Sequence, residues 1–84
     1  MERTKEIEIL MKDSCTRSEA EKHLNNGTII FDDFVVNFDS YMKEWDCDEE
    51  EKEMYKRMIE SKIPAMDWGV VELDGKTYYI MYAL

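Results

Sequence analysis

The chain has 84 residues, of which 44% are hydrophobic and 37% charged, and its formal net charge is −9. This length predicts one domain, residues 1–84, and the hydrophobic content with ten aromatic residues excludes an intrinsically disordered chain. No apolar run approaches the length of a membrane-spanning helix, and the lack of an apolar leader together with only two cysteines indicates a reduced, cytoplasmic protein without a membrane partner.

The N-terminal part of the chain predicts two short helices separated by a break. From about Arg3 to Lys12 apolar residues recur at helical spacing, and the following "DSC" interrupts the pattern. A second helix begins at Thr16, because Thr16-x-x-Glu19 is a capping box in which hydroxyl and carboxylate each accept from a backbone amide. We expect the inner stripes of these helices to consist of Ile7, Leu10, Met11, Ala20 and Leu24.

The next segment predicts an extended stretch and a third helix. "NNG" ends the second helix, since Asn26 or Gly27 can adopt the left-handed conformation at a helix C-terminus. "TIIF", residues 28–31, is β-branched and aromatic and predicts a short strand or an extended connection. Asp32 or Asp33 then caps a helix with the clearest helical period in the chain. Its core-facing residues are Phe34, Phe38, Tyr41, Met42 and Trp45.

A fourth helix begins near Asp48, after "WDCDEEE" interrupts the third. Asp48-x-x-Glu51 resembles a capping box with Asp in the lead. Pro64 stops this helix because proline lacks the amide proton that the helix needs. We expect its inner face to consist of Tyr55, Met58, Ile59 and, at its margin, Ile63.

The last twenty residues change from helical spacing to a β-hairpin. Asp74-Gly75 supplies the two positive φ angles of a type I′ turn, between two β-rich runs. A two-residue loop places Leu73 opposite Lys76 and Trp68 opposite Met81. One face of the hairpin then carries Val71, Tyr78, Ile80 and Tyr82, and the other carries Trp68, Val70, Tyr79 and Met81.

Both faces of this hairpin are apolar, so one face can pack on the helices while the other needs a helix, a turn of the chain or a partner to cover it. The predicted fold class is α+β: about four short helices packed on a C-terminal β-hairpin, with residues 28–31 as a candidate third strand. If a partner covers the second face, the candidate apolar interface consists of Trp68, Val70, Tyr79, Met81 and Tyr82.

The negative charge is concentrated in one part of the chain. Residues 32–53 hold ten acids and only two bases, which makes −8, whereas the rest of the chain is −1. This distribution disfavours direct binding to nucleic acid, which depends on lysine and arginine at phosphates. The candidate acidic interaction patch consists of Asp39, Glu44, Asp46, Asp48, Glu49, Glu50, Glu51 and Glu53.

Two interpretations of this acidic patch remain open. Carboxylates at a helix N-terminus oppose the positive end of the helix dipole, so part of the run is explained without any partner, as a solvated face. The remaining charge repels itself, favours solubility and would steer a basic partner towards the chain. A Ca²⁺ loop does not fit, because "DCDEEEKEMYKR" lacks the glycine at the sixth position and continues into a helix.

The sequence contains no pattern typical of an enzyme, a metal site or a cofactor site. His23 is the only histidine, and we expect it at the boundary of the core. Cys15 and Cys47 lack the spacing of a zinc site, and no glycine-rich phosphate loop is present. The second helix is too acidic for a DNA-recognition helix. We therefore expect no catalytic residues, no metal and no cofactor.

The string "CTRSEAEKHLNNGTIIFDDF", followed by "DWGVVELDGKTYYIMYAL", resembles small uncharacterised acidic proteins of gut anaerobic bacteria, often found near mobile elements. The likeness covers most of the chain, and its motifs are a helix cap, a turn and a hairpin. It implies a bacterial cytoplasmic protein and supplies no catalytic residues.

Two functions of different classes follow. In the first, the acidic patch docks on a basic protein surface, and the chain could inhibit a nucleic-acid-binding enzyme by mimicking phosphates. In the second, the chain is a structural or assembly protein whose apolar hairpin face, or the edge formed by residues 78–84, pairs with a copy of itself or with another chain. The sequence identifies neither the partner nor the oligomeric state.

Overall fold

Four helices and a three-stranded antiparallel sheet form the part of the chain that the computed structural model describes, residues 2–65 and 67–83. The predicted α+β fold is confirmed. The elements are α1 (Arg3–Lys12), α2 (Arg17–Asn25), β1 (Ile29–Phe31), α3 (Phe38–Glu44), α4 (Glu49–Ser61), β2 (Trp68–Leu73) and β3 (Lys76–Met81).

The first two helices begin and end where local signals place them. α1 ends at Lys12, and Ser14 shortly after it adopts a left-handed conformation with φ of 77°. The Thr16 hydroxyl accepts from the Glu19 amide at 3.1 Å, and the Glu19 carboxylate accepts from the Thr16 amide at 2.9 Å, so the predicted capping box is present. After α2 it is Gly27, with φ of 101°, and not Asn26 that turns left-handed.

The third helix is shorter than predicted. It begins at Phe38, with Asn37 as its N-cap, instead of directly after Asp33. The Asp33 carboxylate accepts from the Asn37 side-chain amide at 2.7 Å and from the Tyr41 hydroxyl at 2.8 Å, so it does not cap a backbone amide. Residues 34–37 form a turn that brings Phe34 into the core before the helix starts.

The fourth helix begins as predicted and ends earlier. The Asp48 carboxylate accepts from the Glu51 amide at 2.8 Å and caps the helix. The helix ends at Ser61 because Lys62 adopts a left-handed conformation, with φ of 57°, two residues before Pro64. Ile63 therefore lies outside the helix and is 65% exposed, so its expected place on the inner face is wrong.

The hairpin has the predicted register. Asp74 and Gly75 both have positive φ, and the pairs run from Leu73–Lys76 at the turn to Trp68–Met81. β1 pairs antiparallel with β3, with Ile30 opposite Ile80, so residues 29–31 of the predicted stretch 28–31 form the third strand. The strand order β1-β3-β2 makes β3 the central strand.

The sheet is covered on both faces by helices of the same chain. α1 and α2 pack on the face of Val71, Tyr78 and Ile80. α3 and α4 pack on the opposite face, where Trp68 and Tyr79 join Phe31 and Phe34 in an aromatic cluster. The hairpin therefore lies between two helical layers, with one core cluster on each side.

The apolar stripe of α1 differs from the prediction by one residue. Ile7, Ile9 and Leu10 are buried, whereas Met11 is 44% exposed. Helical spacing alone does not settle which of two neighbouring apolar residues faces the sheet, and here the β-branched Ile9 is fully buried. None of the helices in residues 2–65 and 67–83 has the length and apolarity needed to cross a membrane.

Candidate functional site

The eight predicted acids occupy α3, the loop after it and the first half of α4. All eight side chains are exposed. Asp39 and Asp46 line one groove together with Lys52 of α4, which places the loop and both helices around the same recess. We call the set the acidic surface: Asp39, Glu44, Asp46, Asp48, Glu49, Glu50, Glu51 and Glu53.

Of the five ion pairs between described residues, four use acids outside the acidic surface. Within it, Glu49 alone has a described ion pair, at 3.6 Å from Lys52 in the next turn of α4. The other described pairs are Lys5–Asp74, Arg17–Glu21, Lys62–Glu72 and Lys76–Asp32. Most of the concentrated negative charge is therefore open to solvent and to a partner.

A shallow groove of about 420 Å³ lies between α3 and the start of α4. Two acids and two lysines line it, so the lining of the groove has no net formal charge. Its walls are mostly polar, unlike the enclosed apolar pockets that hold small ligands. The groove has room for side chains of a macromolecular partner. Its lining residues are Asp39, Met42, Lys43, Asp46, Cys47 and Lys52.

Two groups beside the acidic surface have perturbed acidities. Burial raises the pKa of the Cys47 thiol, and the nearby Glu51 and Asp48 carboxylates raise it further. The hydrogen bond to Asp33 raises the pKa of Tyr41, and burial adds to this effect. Both groups therefore stay protonated at neutral pH, and a Cys47 thiolate nucleophile is disfavoured.

The predicted apolar interface is not an exposed patch. Trp68 and Tyr79 are buried, and Val70 and Met81 pack with them against α3 and α4. Tyr82 lies on the opposite face of the sheet, against α1 and α2. Self-association through these five residues would require a helical layer to move away.

The edge formed by residues 78–84 is not available either. Tyr78–Met81 belong to the central strand, which pairs with β1 on one side and β2 on the other. Ala83 donates its backbone amide to the buried Thr28 hydroxyl at 2.9 Å. Leu84 lies outside the described residues.

The structure brings together a polar cluster that the sequence did not indicate. The Tyr82 hydroxyl donates to the Asp13 carboxylate at 2.5 Å and lies 3.9 Å from the Cys15 sulfur. The ring of His23 packs edge-to-face on Tyr82 with 5.0 Å between centroids. A Cβ atom on Gly69 would overlap the Asp13 carboxylate, so a larger residue there would have to displace this side chain. Contacts between residues nearly seventy positions apart leave no local sequence signal.

This polar cluster connects the α1–α2 turn to the end of β3. Within this cluster the Tyr82 hydroxyl and the Asp13 carboxylate are each other's hydrogen-bond partners. Cys15 and Cys47 are free thiols that pack against the core clusters on opposite faces of the sheet. Within residues 2–65 and 67–83, no three metal-ligating side chains come together. The arrangement is that of a structural contact.

Comparisons of this chain with family models, with curated proteins and with solved structures found no match.

Proposed function

We propose that this chain is a non-enzymatic interaction protein that docks its acidic surface on a basic surface of another protein. The observation that carries the proposal is the exposure of all eight carboxylates, of which Glu49 alone has an ion pair among the described contacts. A solvated helix N-terminus accounts for Asp48–Glu51, where carboxylates oppose the helix dipole. Asp39 likewise lies in the first turn of α3. The two helix N-termini do not account for Glu44, Asp46 and Glu53.

The mechanism is electrostatic steering followed by docking. Several acids stand on helices that are anchored in the aromatic core through Met42 and Met58, so their positions are largely set before the partner arrives. Preorganised charge lowers the entropic cost of binding, and its complementarity to a basic surface raises the association rate. Because the charges are exposed, salt weakens the interaction strongly.

The partner class that fits best is a protein that binds nucleic acid. Such a protein presents lysines and arginines spaced for phosphates, and ordered carboxylates could occupy the same positions. The chain would then inhibit that protein by mimicry, in the cytoplasm of a bacterium and in the setting of a mobile element, as its resemblance to small acidic proteins of gut anaerobes implies.

Charge-neutralising variants and an oligolysine probe test the docking surface. We expect the variant E49Q/E50Q/E51Q/E53Q to bind oligolysine about tenfold more weakly than the wild type at low salt, because it loses four of the exposed charges. Fluorescence anisotropy of labelled oligolysine measures this affinity.

A matched control separates the acidic surface from net charge. E2Q/E8Q/E21Q/E60Q also removes four negative charges, but from exposed positions outside the acidic surface. This control should lose clearly less affinity. Equal losses in the two variants, or unchanged affinity in the first, would refute the docking proposal.

A further inference from the structure

An exposed apolar turn stands between β1 and α3. Val35 is 54% exposed and Val36 is 86% exposed, while the preceding Phe34 is only 1% exposed. The rings of Phe34 and Phe38, 5.8 Å apart, both point into the aromatic cluster. The chain between them faces outwards, which leaves two adjacent valines in water where a solvated turn normally has polar residues.

Three hydrogen bonds to Asp33 constrain this turn. The Asn37 backbone amide donates to the Asp33 carbonyl at 2.9 Å and closes one helical turn around the two valines. The Asp33 carboxylate also binds the Asn37 side chain and the Tyr41 hydroxyl. Valine side chains have few rotamers. Such a turn loses little conformational entropy when a partner covers it.

The negative charge around the turn favours a basic partner. Asp32 and Asp33 precede the two valines, Asp39 follows them, and the acidic surface continues along α3 from there. Of these three aspartates, Asp32 has a described ion pair, with Lys76 at 3.7 Å. A second copy of the chain would bring two strongly negative surfaces together, which like-charge repulsion disfavours. A basic protein surface with exposed apolar side chains complements both the negative charge and the two exposed valines.

We propose that Val35 and Val36 form the apolar contact point of the docking surface, and that the partner is a basic protein surface with an apolar centre. This inference rests on the proposed function. Interfaces commonly have a desolvated apolar centre that carries much of the affinity and a charged rim that guides association. The valine turn would supply the desolvated apolar contact, and the acidic surface that follows it would guide association.

Two lysine-rich helical peptides of equal length and charge serve as probes. In one the spacer residues are leucine, and in the other they are serine. We expect the wild type to bind the lysine–leucine peptide about tenfold more tightly than the lysine–serine peptide, and the V35S/V36S variant to lose this preference. Its affinity for the lysine–serine peptide should stay unchanged, because the acids are intact. Isothermal titration measures both affinities.

Ile63→Ser is the matched control, because Ile63 is 65% exposed and lies after α4, outside the valine turn. It should keep the full preference for the lysine–leucine peptide. The inference is overturned if the wild type shows no preference, if V35S/V36S keeps it, or if I63S loses it equally. It is also overturned if sedimentation shows that the valines pair two copies of this chain.

The affinities of the two peptides distinguish a failure of the proposed function from a failure of the valine contact. If E49Q/E50Q/E51Q/E53Q binds both peptides as tightly as the wild type, electrostatic docking is wrong whatever the valine variants show. If that variant loses affinity for both peptides while V35S/V36S keeps the leucine preference, docking stands and the valine contact fails. Urea midpoints confirm that every variant remains folded.

Discussion

Single residues decide how the α1–α2 turn packs against the end of the sheet. Gly69 on β2 leaves space for the Asp13 carboxylate, and Tyr82 donates its hydroxyl to that carboxylate. This bond connects the α1–α2 turn to the residue after β3, and it is partly shielded from water. A hydrogen bond to a charged acceptor contributes more to stability than a neutral one, and shielding from solvent strengthens it.

Tyr82→Phe removes this bond and leaves the ring in place. We expect the free energy of unfolding to fall by about 1–3 kcal/mol at neutral pH, because the Asp13 carboxylate loses its partner. Urea denaturation measures the change. Tyr78→Phe is a suitable control, since Tyr78 lies on the same face of the sheet and its hydroxyl has no described hydrogen bond.

The same pair predicts a dependence on alkaline pH. Burial raises the pKa of Tyr82, and the hydrogen bond to Asp13 raises it further. A raised pKa in the folded state means that the stabilisation is fully present below the unfolded pKa of about 10 and is lost as pH rises through the folded value. The wild type should therefore lose its advantage over Tyr82→Phe above about pH 10. A gap that stays constant to higher pH would contradict this assignment.

At the scale of elements, caps and turns set most of the boundaries. The capping box of Thr16 and Glu19 begins α2, Asp48 begins α4, and Asp74-Gly75 closes the hairpin. These signals act within a few residues, which is why they were predictable. The start of α3 was not, because the Asp33 side chain binds Asn37 and Tyr41 instead of a helix amide.

Thr16→Ala should destabilise the protein by about 1 kcal/mol, since it leaves the Glu19 amide without its partner. Thr4→Ala is a matched control, because Thr4 is exposed inside α1, where alanine is the better helix former. Thermal or urea unfolding measures both. If the two variants have equal stability, the capping box contributes nothing.

At the scale of the whole molecule, core packing stabilises the fold and repulsion between the acids opposes it. Two apolar clusters hold the sheet between helical layers, while the acidic surface places most of the net charge on one part of the chain. The five ion pairs between described residues involve mostly exposed side chains, and such pairs contribute little individually. We therefore expect self-repulsion to dominate the electrostatic contribution to stability.

Added salt should stabilise this protein. Raising NaCl from about 0.01 to 0.2 M shortens the Debye length below the dimensions of the acidic surface, so we expect the free energy of unfolding to rise on the order of 1 kcal/mol. Urea titrations at each salt concentration measure it. E49Q/E50Q/E51Q/E53Q should gain less than E2Q/E8Q/E21Q/E60Q. A fall in stability with salt would show that the ion pairs outweigh the repulsion.

The candidate site was only partly predictable. The eight acids are exposed, as a solvated or docking surface requires, because charged Asp and Glu side chains are almost never fully buried unless they are paired. The apolar candidates Trp68, Val70, Tyr79 and Met81 share a face as predicted, but α3 and α4 cover it. The exposure of the two valines beside the acids was not predicted, because an apolar residue type does not by itself indicate an exposed position.

The amino-acid sequence by itself determined the α+β class, most helix and hairpin boundaries, the register of β2 and β3 and the concentration of charge. These features depend on periodicity, caps and turns, which act between neighbours in the chain. The tertiary structure alone decided that β1 lies beside β3, that both sheet faces are covered, and that Tyr82 binds Asp13. Those outcomes depend on packing between distant segments, which local patterns do not encode.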